Sequence, residues 1–219
     1  GILPEQPPPP PKSVYFTVPV EEVYADDSRL VQGVPKPLYH SAAALEDWLL
    51  IEGVFRVSGI FSEMKRMKET FERGEIPDFA NAMSKHSIAG LLELWFRELP
   101  EPVLTHELYD EFMSAVTGGK SEDEALPKLV DTVQKLPHGN REVLKFFGRF
   151  MNKVAALEHE NKMGAKNLGV VFGSILLGSK SLSFTNTLKQ QLNDQNTIVQ
   201  LIITHVDTLF PPEEDEAAE

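Results

Sequence analysis

The sequence predicts an all-α fold, a single-domain helical bundle, on three observations. Apolar residues recur at helical spacing along most of the chain. The apolar–polar alternation of a half-buried strand is nearly absent. No period of about 20 to 50 residues repeats, which disfavours a solenoid.

Taken in order, Leu38, Ala42, Leu45 and Leu49 mark a first helix, and Met64, Met67 and Phe71 a second. A third carries Ile88, Leu91, Leu92, Trp95 and Phe96 and is stopped by Pro100, which lacks the N–H to continue it. A short fourth, Glu107 to Val116, carries Leu108, Phe112 and Val116. Ser121-Glu122-Asp123-Glu124 reads as a capping box, in which hydroxyl and carboxylate satisfy each other's free backbone donors. It opens a fifth helix with Leu126, Leu129, Val130, Val133 and Leu136 on one face, and Asn140 to Leu157 repeats the pattern with Val143, Leu144, Phe147, Met151 and Val154. Lys162 to Leu177 is apolar on most sides, as expected of a helix surrounded by others, and Ile198, Leu201, Ile202 and Leu209 line a last amphipathic helix.

The 219 residues suffice for one core of about 190 to 200 residues. Pro7 to Pro11 form an unbroken run ending in Lys12, an extended polyproline II spacer; a linker is the plainer reading, and docking on an SH3-type groove the alternative. At the other end, Pro211-Pro212-Glu213-Glu214-Asp215-Glu216 stops a helix and continues as an acidic tail. The expected organisation is a Pro-rich linker over 1–12, a helical domain over 13–211 and an acidic tail over 212–219.

At 42% hydrophobic and 25% charged, the composition is that of an ordinary soluble globular protein. With no cysteine there is no disulfide framework, thiolate nucleophile or Cys-based zinc site, and the cytoplasm is the expected compartment. A net charge of -12, from 21 basic and 33 acidic residues, opposes binding to a nucleic-acid backbone. The longest uncharged apolar stretch, Asn167 to Ser179, falls short of the roughly 20 residues a bilayer requires, so no transmembrane span is expected. The N-terminus lacks the basic and apolar regions of a secretory signal.

Chemistry of the chain's own is hard to find. The six histidines are scattered, with no zinc-type pair, and there is no Gly-x-Ser-x-Gly elbow. Thr117-Gly118-Gly119-Lys120-Ser121 ends like a phosphate-binding loop, but Ser114 stands where the first glycine belongs and an amphipathic helix precedes it; a flexible interhelical loop is the reading. No nucleotide, metal or other cofactor of its own is expected.

Three blocks of polar residues embedded in apolar text remain: Glu52 to Gly59 around Arg56, Trp95 to Pro102 with Arg97, and Asn161 to Gly173 with Asn167. On the residues alone, Arg56 reads as a surface arginine or as a functional group on a scaffolded loop. Arg97 complements a helix C-terminus, and Asn167 is a satisfied amide inside the bundle.

With these blocks in order, and with Phe16 to Glu22, Val34-Pro35, Leu136-Pro137, Asn140-Arg141 and Gln195-Asn196 to Phe210, the chain resembles the Rho-family GTPase-activating (RhoGAP, breakpoint-cluster-region homology) domain. The resemblance implies a bundle of about nine helices that binds a GTP-loaded Rho- or Rac-type small GTPase and accelerates its hydrolysis. Arg56 matches the arginine finger, Arg97 an arginine that braces the finger loop or the interface, and Asn167 an asparagine that contacts the GTPase. GTP and Mg²⁺ would belong to the partner, and the chain itself would be an activator rather than an enzyme.

There are departures. Glu93 stands where the family usually carries a lysine, one turn before Arg97 in a spacing that favours pairing on the helix surface. Ser174-Ile175 stands where Pro-Asn is common, and Gly164 where Thr is common. Glu93 supports the alternative of a catalytically weak or inactive module that docks small GTPases as a scaffold.

Overall fold

A computed structural model describes residues 12–178 and 186–212. The Pro7 to Pro11 run and the acidic residues 213–219 lie outside the described residues. The helices are α1 (Val20–Tyr24), α2 (Lys36–Leu45), α3 (Phe61–Glu72), α4 (Lys85–Arg97), α5 (Tyr109–Val116), α6 (Glu122–Gln134), α7 (His138–Ala156), α8 (Glu158–Asn161), α9 (Ala165–Leu177), α10 (Asn186–Thr204) and α11 (Val206–Leu209). The fold is all-α: among the described residues the only ladder is a two-residue antiparallel pair, Leu30 opposite Pro35 and Val31 opposite Val34. Its turn residues, Gln32 and Gly33, have φ of 50° and 73°, the left-handed pair that lets two short strands reverse tightly.

Eight helices coincide with the periodic segments, and α1, α8 and α11 are single-turn pieces too short for a period to show. The Ser121 capping box forms, with the Ser121 amide donating to Glu124 Oε2 at 2.8 Å and the Glu124 amide to Ser121 Oγ at 3.3 Å. The glycine-rich stretch before it is the α5–α6 connection, folded back so that Lys120 Nζ donates to the Ser114 carbonyl at 2.6 Å.

Two boundaries and one burial pattern differ from the periodic reading. The first helix does not run to Leu49: α2 ends at Leu45 and the chain tightens into a 3₁₀ turn, Glu46–Trp48. The Leu49 carbonyl points instead to the Asn161 amide, which donates to it at 2.9 Å. The last helix breaks at His205, separating α10 from α11.

The third difference is α9, which is not surrounded by other helices. Leu168, Phe172, Leu176 and Leu177 are buried on one side, but Lys166, Asn167, Val170 and Ser174 are exposed, Val170 by 60%. Burial is one-sided because glycines let α10 approach that side closely. A Cβ at Gly169 would lie 2.5 Å from the Asn196 backbone oxygen, and one at Gly173 2.3 Å from Asn196 Oδ1.

The centre of the bundle is aromatic. Phe147 of α7 meets Phe172 of α9 at 5.0 Å and Phe96 of α4 at 5.4 Å, all edge to face and essentially without solvent exposure. At the periphery, Glu72 of α3 accepts the backbone amides of Val14, Tyr15 and Phe16, tying the N-terminal segment to the bundle. Among the described residues, no helix is long and apolar enough to cross a membrane.

Replacing Gly169 by Ala sets helix propensity, worth about 1 kcal/mol in favour of Ala, against a methyl group forced onto the α10 backbone. Overpacking is expected to win, with a net loss of about 1–3 kcal/mol in urea denaturation. Equal or greater stability would show that α9 and α10 have room to separate.

Candidate functional site

The site is built on the loop from Leu49 to Ile60, between the 3₁₀ turn and α3. Gly53 is at φ +73°, and a Cβ there would lie 2.7 Å from Val57 Cγ2, so the turn requires glycine. The Gly53 carbonyl accepts the amides of both Arg56 and Val57 at 2.8 Å. Phe55 takes φ +69°, a left-handed conformation that costs a non-glycine residue about 1–2 kcal/mol. The cost is offset by burial: the Phe55 ring is 4% exposed and packs edge to face on Phe172 at 5.7 Å and Phe150 at 6.3 Å. With Phe55 turned inward, Arg56 is turned out to solvent. Its guanidinium rests against the loop, 3.3 Å from where a Gly53 Cβ would be.

Polar clamps hold both ends of this loop. At the first, Asn161 is fully buried and donates through Nδ2 to the carbonyls of Leu49 (2.9 Å) and Val154 (2.8 Å), while its Oδ1 accepts the Met163 amide at 2.8 Å. Its backbone carbonyl accepts the Gly53 amide, also at 2.8 Å. At the second, Gly59 lies so close to α4 that a Cβ would meet the Ser87 Cα at 2.5 Å, and the Ile60 amide donates to Ser87 Oγ at 2.9 Å. Ser87 in turn bonds the buried Glu63 carboxylate, which also accepts the amides of Met83 (2.6 Å) and Ser84 (3.3 Å). Burial pushes the Glu63 carboxyl up, but these hydrogen bonds outweigh it and hold the group below the usual carboxylate range.

Beneath the loop is a cavity of about 310 Å³, lined among others by Arg56, Ser58, Met64, Gly90, Glu93 and Arg97. It exists partly because α4 carries no side chain at Gly90, against which Met64 packs. Glu93 and Arg97 form an ion pair. The pair is not a solvated surface pair on both sides, as the spacing suggested: the Arg97 side chain is 57% exposed, but that of Glu93 only 16%. The carboxylate is part of the cavity wall because its position on α4 faces the loop rather than solvent. Burial pushes its carboxyl up, with the Arg97 guanidinium working in the opposite direction.

The structure therefore brings Arg56, Glu93 and Arg97 to one cavity. Asn167 does not line it. Asn167 lies on the exposed face of α9 and donates to the Lys162 carbonyl at 3.0 Å, so it is not the buried amide that the residues alone suggest. It shares that face with Val170 and Ser174, and Val171 joins the face to the cavity. At the start of α9, a Cβ at Gly164 would lie 2.3 Å from Glu158 Oε1, the tip of an exposed side chain, so a larger residue there requires Glu158 to turn aside.

Sequence reasoning did not single out Phe55, Asn161, Glu63 or Ser87 as parts of the site. Asn161 stood in a quoted block, but nothing local separates a buried clamp from an exposed amide, and its partner Leu49 is 112 residues away.

The scaffold is all-helical and holds one arginine outward on a doubly clamped loop. Comparison with known proteins identifies the family. Residues 35–181 match the RhoGAP domain family, and the chain belongs to it. It is 34% identical over 186 residues to human Rho GTPase-activating protein 30, covering 82% of this chain and 17% of that protein. It is 36% identical over 161 residues to mouse Rho GTPase-activating protein 24, covering 73% and 21%. The chain thus spans about a fifth or less of the length of these relatives. Among solved structures, human Rho GTPase activating protein 15 superposes with a TM-score of 0.82 at 25% identity, over 91% of this chain and 93% of that one. The BH domain of Graf shares the fold, with a TM-score of 0.71 at 22% identity over 80% and 93%.

Asn161→Ala would leave two buried carbonyls and the Met163 amide without their partners. The expected loss is about 2–4 kcal/mol of stability, accompanied by faster hydrogen exchange at the amides of Gly53, Arg56 and Val57. Unchanged exchange at those three amides would show that Asn161 does not hold the loop.

Proposed function

We propose that this domain binds a GTP-loaded small GTPase of the Rho/Rac class and accelerates GTP hydrolysis by inserting Arg56 into the partner's active site. The observation that carries the reading is the pairing of Phe55 buried with Arg56 exposed, on a loop whose ends are fixed to α4 and α8. Membership of the RhoGAP family, with relatives named Rho GTPase-activating proteins, supports it.

The chemistry follows from the guanidinium. Phosphoryl transfer builds charge on the bridging and γ oxygens, and a planar, permanently charged group with several donors stabilises that charge where a flexible ammonium does so poorly. A finger of this kind is worth roughly 10³ to 10⁵ in rate, about 4 to 7 kcal/mol of barrier. The loop clamps reduce the freedom lost when Arg56 is positioned. Arg56 leaves its resting place over Gly53 to reach the nucleotide, a side-chain movement only. GTP and Mg²⁺ belong to the partner, and this chain supplies positioning and charge. The exposed face of α9, with Asn167, Val170 and Ser174, is the neighbouring surface for the GTPase.

A second reading, a module that docks GTPases without accelerating hydrolysis, is favoured by one observation. Glu93 places a carboxylate in the cavity wall under the finger and engages Arg97, the residue otherwise available to brace the loop.

Single-turnover GTP hydrolysis on a panel of Rho- and Rac-type GTPases separates the two readings. Arg56→Ala is expected to lower the stimulated rate at least about a hundredfold while affinity for the GTP-loaded partner stays within roughly tenfold. No stimulation by the parent protein on any partner would establish the scaffold reading instead. Glu93→Lys frees Arg97 and is expected to raise the stimulated rate about three- to tenfold, or about 0.7–1.4 kcal/mol of barrier. A fall on one GTPase alone would mean that Glu93 contacts a basic residue of that partner.

A further inference from the structure

Although the chain carries a net charge of -12, one stripe of α7 is basic. Arg141, Lys145, Arg149 and Lys153 stand one turn apart along it. Their charges are unequally used. Lys145 pairs with Glu142 at 3.1 Å and Lys153 with Glu46 at 2.9 Å. Arg141 donates to the Gln134 carbonyl at 3.4 Å, and neither it nor Arg149 makes an ion pair among the described residues.

Two adjoining hollows follow this stripe, of about 610 and 420 Å³, and both are lined by Lys145 and Arg149. The smaller one is also lined by Arg141, Leu209, Phe210 and Pro211, and by Glu142, whose carboxylate is engaged by Lys145. In sequence, Pro212 alone separates Pro211 from the run Glu213-Glu214-Asp215-Glu216.

We propose that the acidic segment 213–216 docks along this hollow, with its carboxylates on Arg149 and Arg141. The geometry allows it. Four extended residues span about 13 Å, and Arg141 to Arg149 is a rise of about 12 Å along the helix. Attachment at Pro212 makes the contact intramolecular, at an effective concentration in the millimolar range. Both arginines are half-buried residues in a hollow, where attraction for carboxylates is less screened than on an open surface, and each guanidinium offers a fork that matches a carboxylate. The contact also relieves the mutual repulsion of four consecutive acids. The chain's own carboxylates then compete with other anions for the two arginines.

The absence of cysteine makes a single-site probe simple. A nitroxide is attached at Ala218→Cys in the full chain, and broadening of the amide signals of residues 145–149 is measured. The native tail is expected to broaden them at least about threefold more than a tail carrying Glu213, Glu214, Asp215 and Glu216 all changed to Gln. The excess is expected to vanish in Arg149→Gln and at about 0.5 M salt, where the screening length falls below 5 Å. Equal broadening by native and neutralised tails overturns the proposal, because it would reflect tethering alone. Arg149-dependent binding to phosphatidylserine vesicles that is the same with either tail overturns it too, since the face would then be open to a membrane surface. The measurement is independent of GTP hydrolysis, so neither result bears on the role of Arg56.

Discussion

The burial of Phe55 against Phe172 and Phe150 is the contact on which the site depends. It holds the backbone at φ +69° against its own preference, and this reversal sends one side chain into the core and the next into solvent. The ring reaches an aromatic cluster that already joins α4, α7 and α9 through Phe96, Phe147 and Phe172. The loop that carries Arg56 is thereby an extension of the core rather than an appendage to it. A strained conformation at a functional site persists only where its surroundings over-determine it, and here the surroundings are the three central helices.

The polar clamps complete that determination. Buried amides and carboxylates are costly unless every group is met, and fully met they select one arrangement of the chain. Asn161 satisfies carbonyls from two segments and fixes the start of the loop through its own backbone. Glu63 and Ser87 fix the end, with the carboxylate kept ionised by three donors despite its burial. Glycines at 53 and 59 permit the close approaches on which both clamps rely. The preorganised part is therefore the backbone, and the part left free is the Arg56 side chain.

Charge is distributed to match. Two places stand out in this strongly acidic chain. Glu93 is drawn into the wall of the cavity beneath the Arg56 loop and tied to Arg97, which places a carboxylate under the exposed arginine. Arg141 and Arg149 on α7 make no ion pair among the described residues and line a hollow with Leu209, Phe210 and Pro211. In both places partial burial lowers the screening of the charge.

Much of the fold was legible in the sequence because its causes are local. Helical spacing marked eight helices, the Ser121–Glu124 pair marked the start of α6, and the motif around Arg56 pointed to the family. The misread boundaries share one reason. Leu49 continues the apolar period of α2, but its carbonyl is claimed by Asn161, so the helix ends early. The composition of α9 suggested burial all round, yet Gly169 and Gly173 concentrate its packing on one side and leave Val170 and Asn167 in the open. Glu93 and Arg97 were placed together by their spacing, while the depth of Glu93 depends on what lies over α4. The sequence by itself determined the helices, the family and the outward arginine's identity, since these follow from periodicity and contiguous motifs. Only the tertiary structure decided which face of α9 is open, how deeply Glu93 sits and what clamps the Arg56 loop, because each depends on groups brought together from distant parts of the chain.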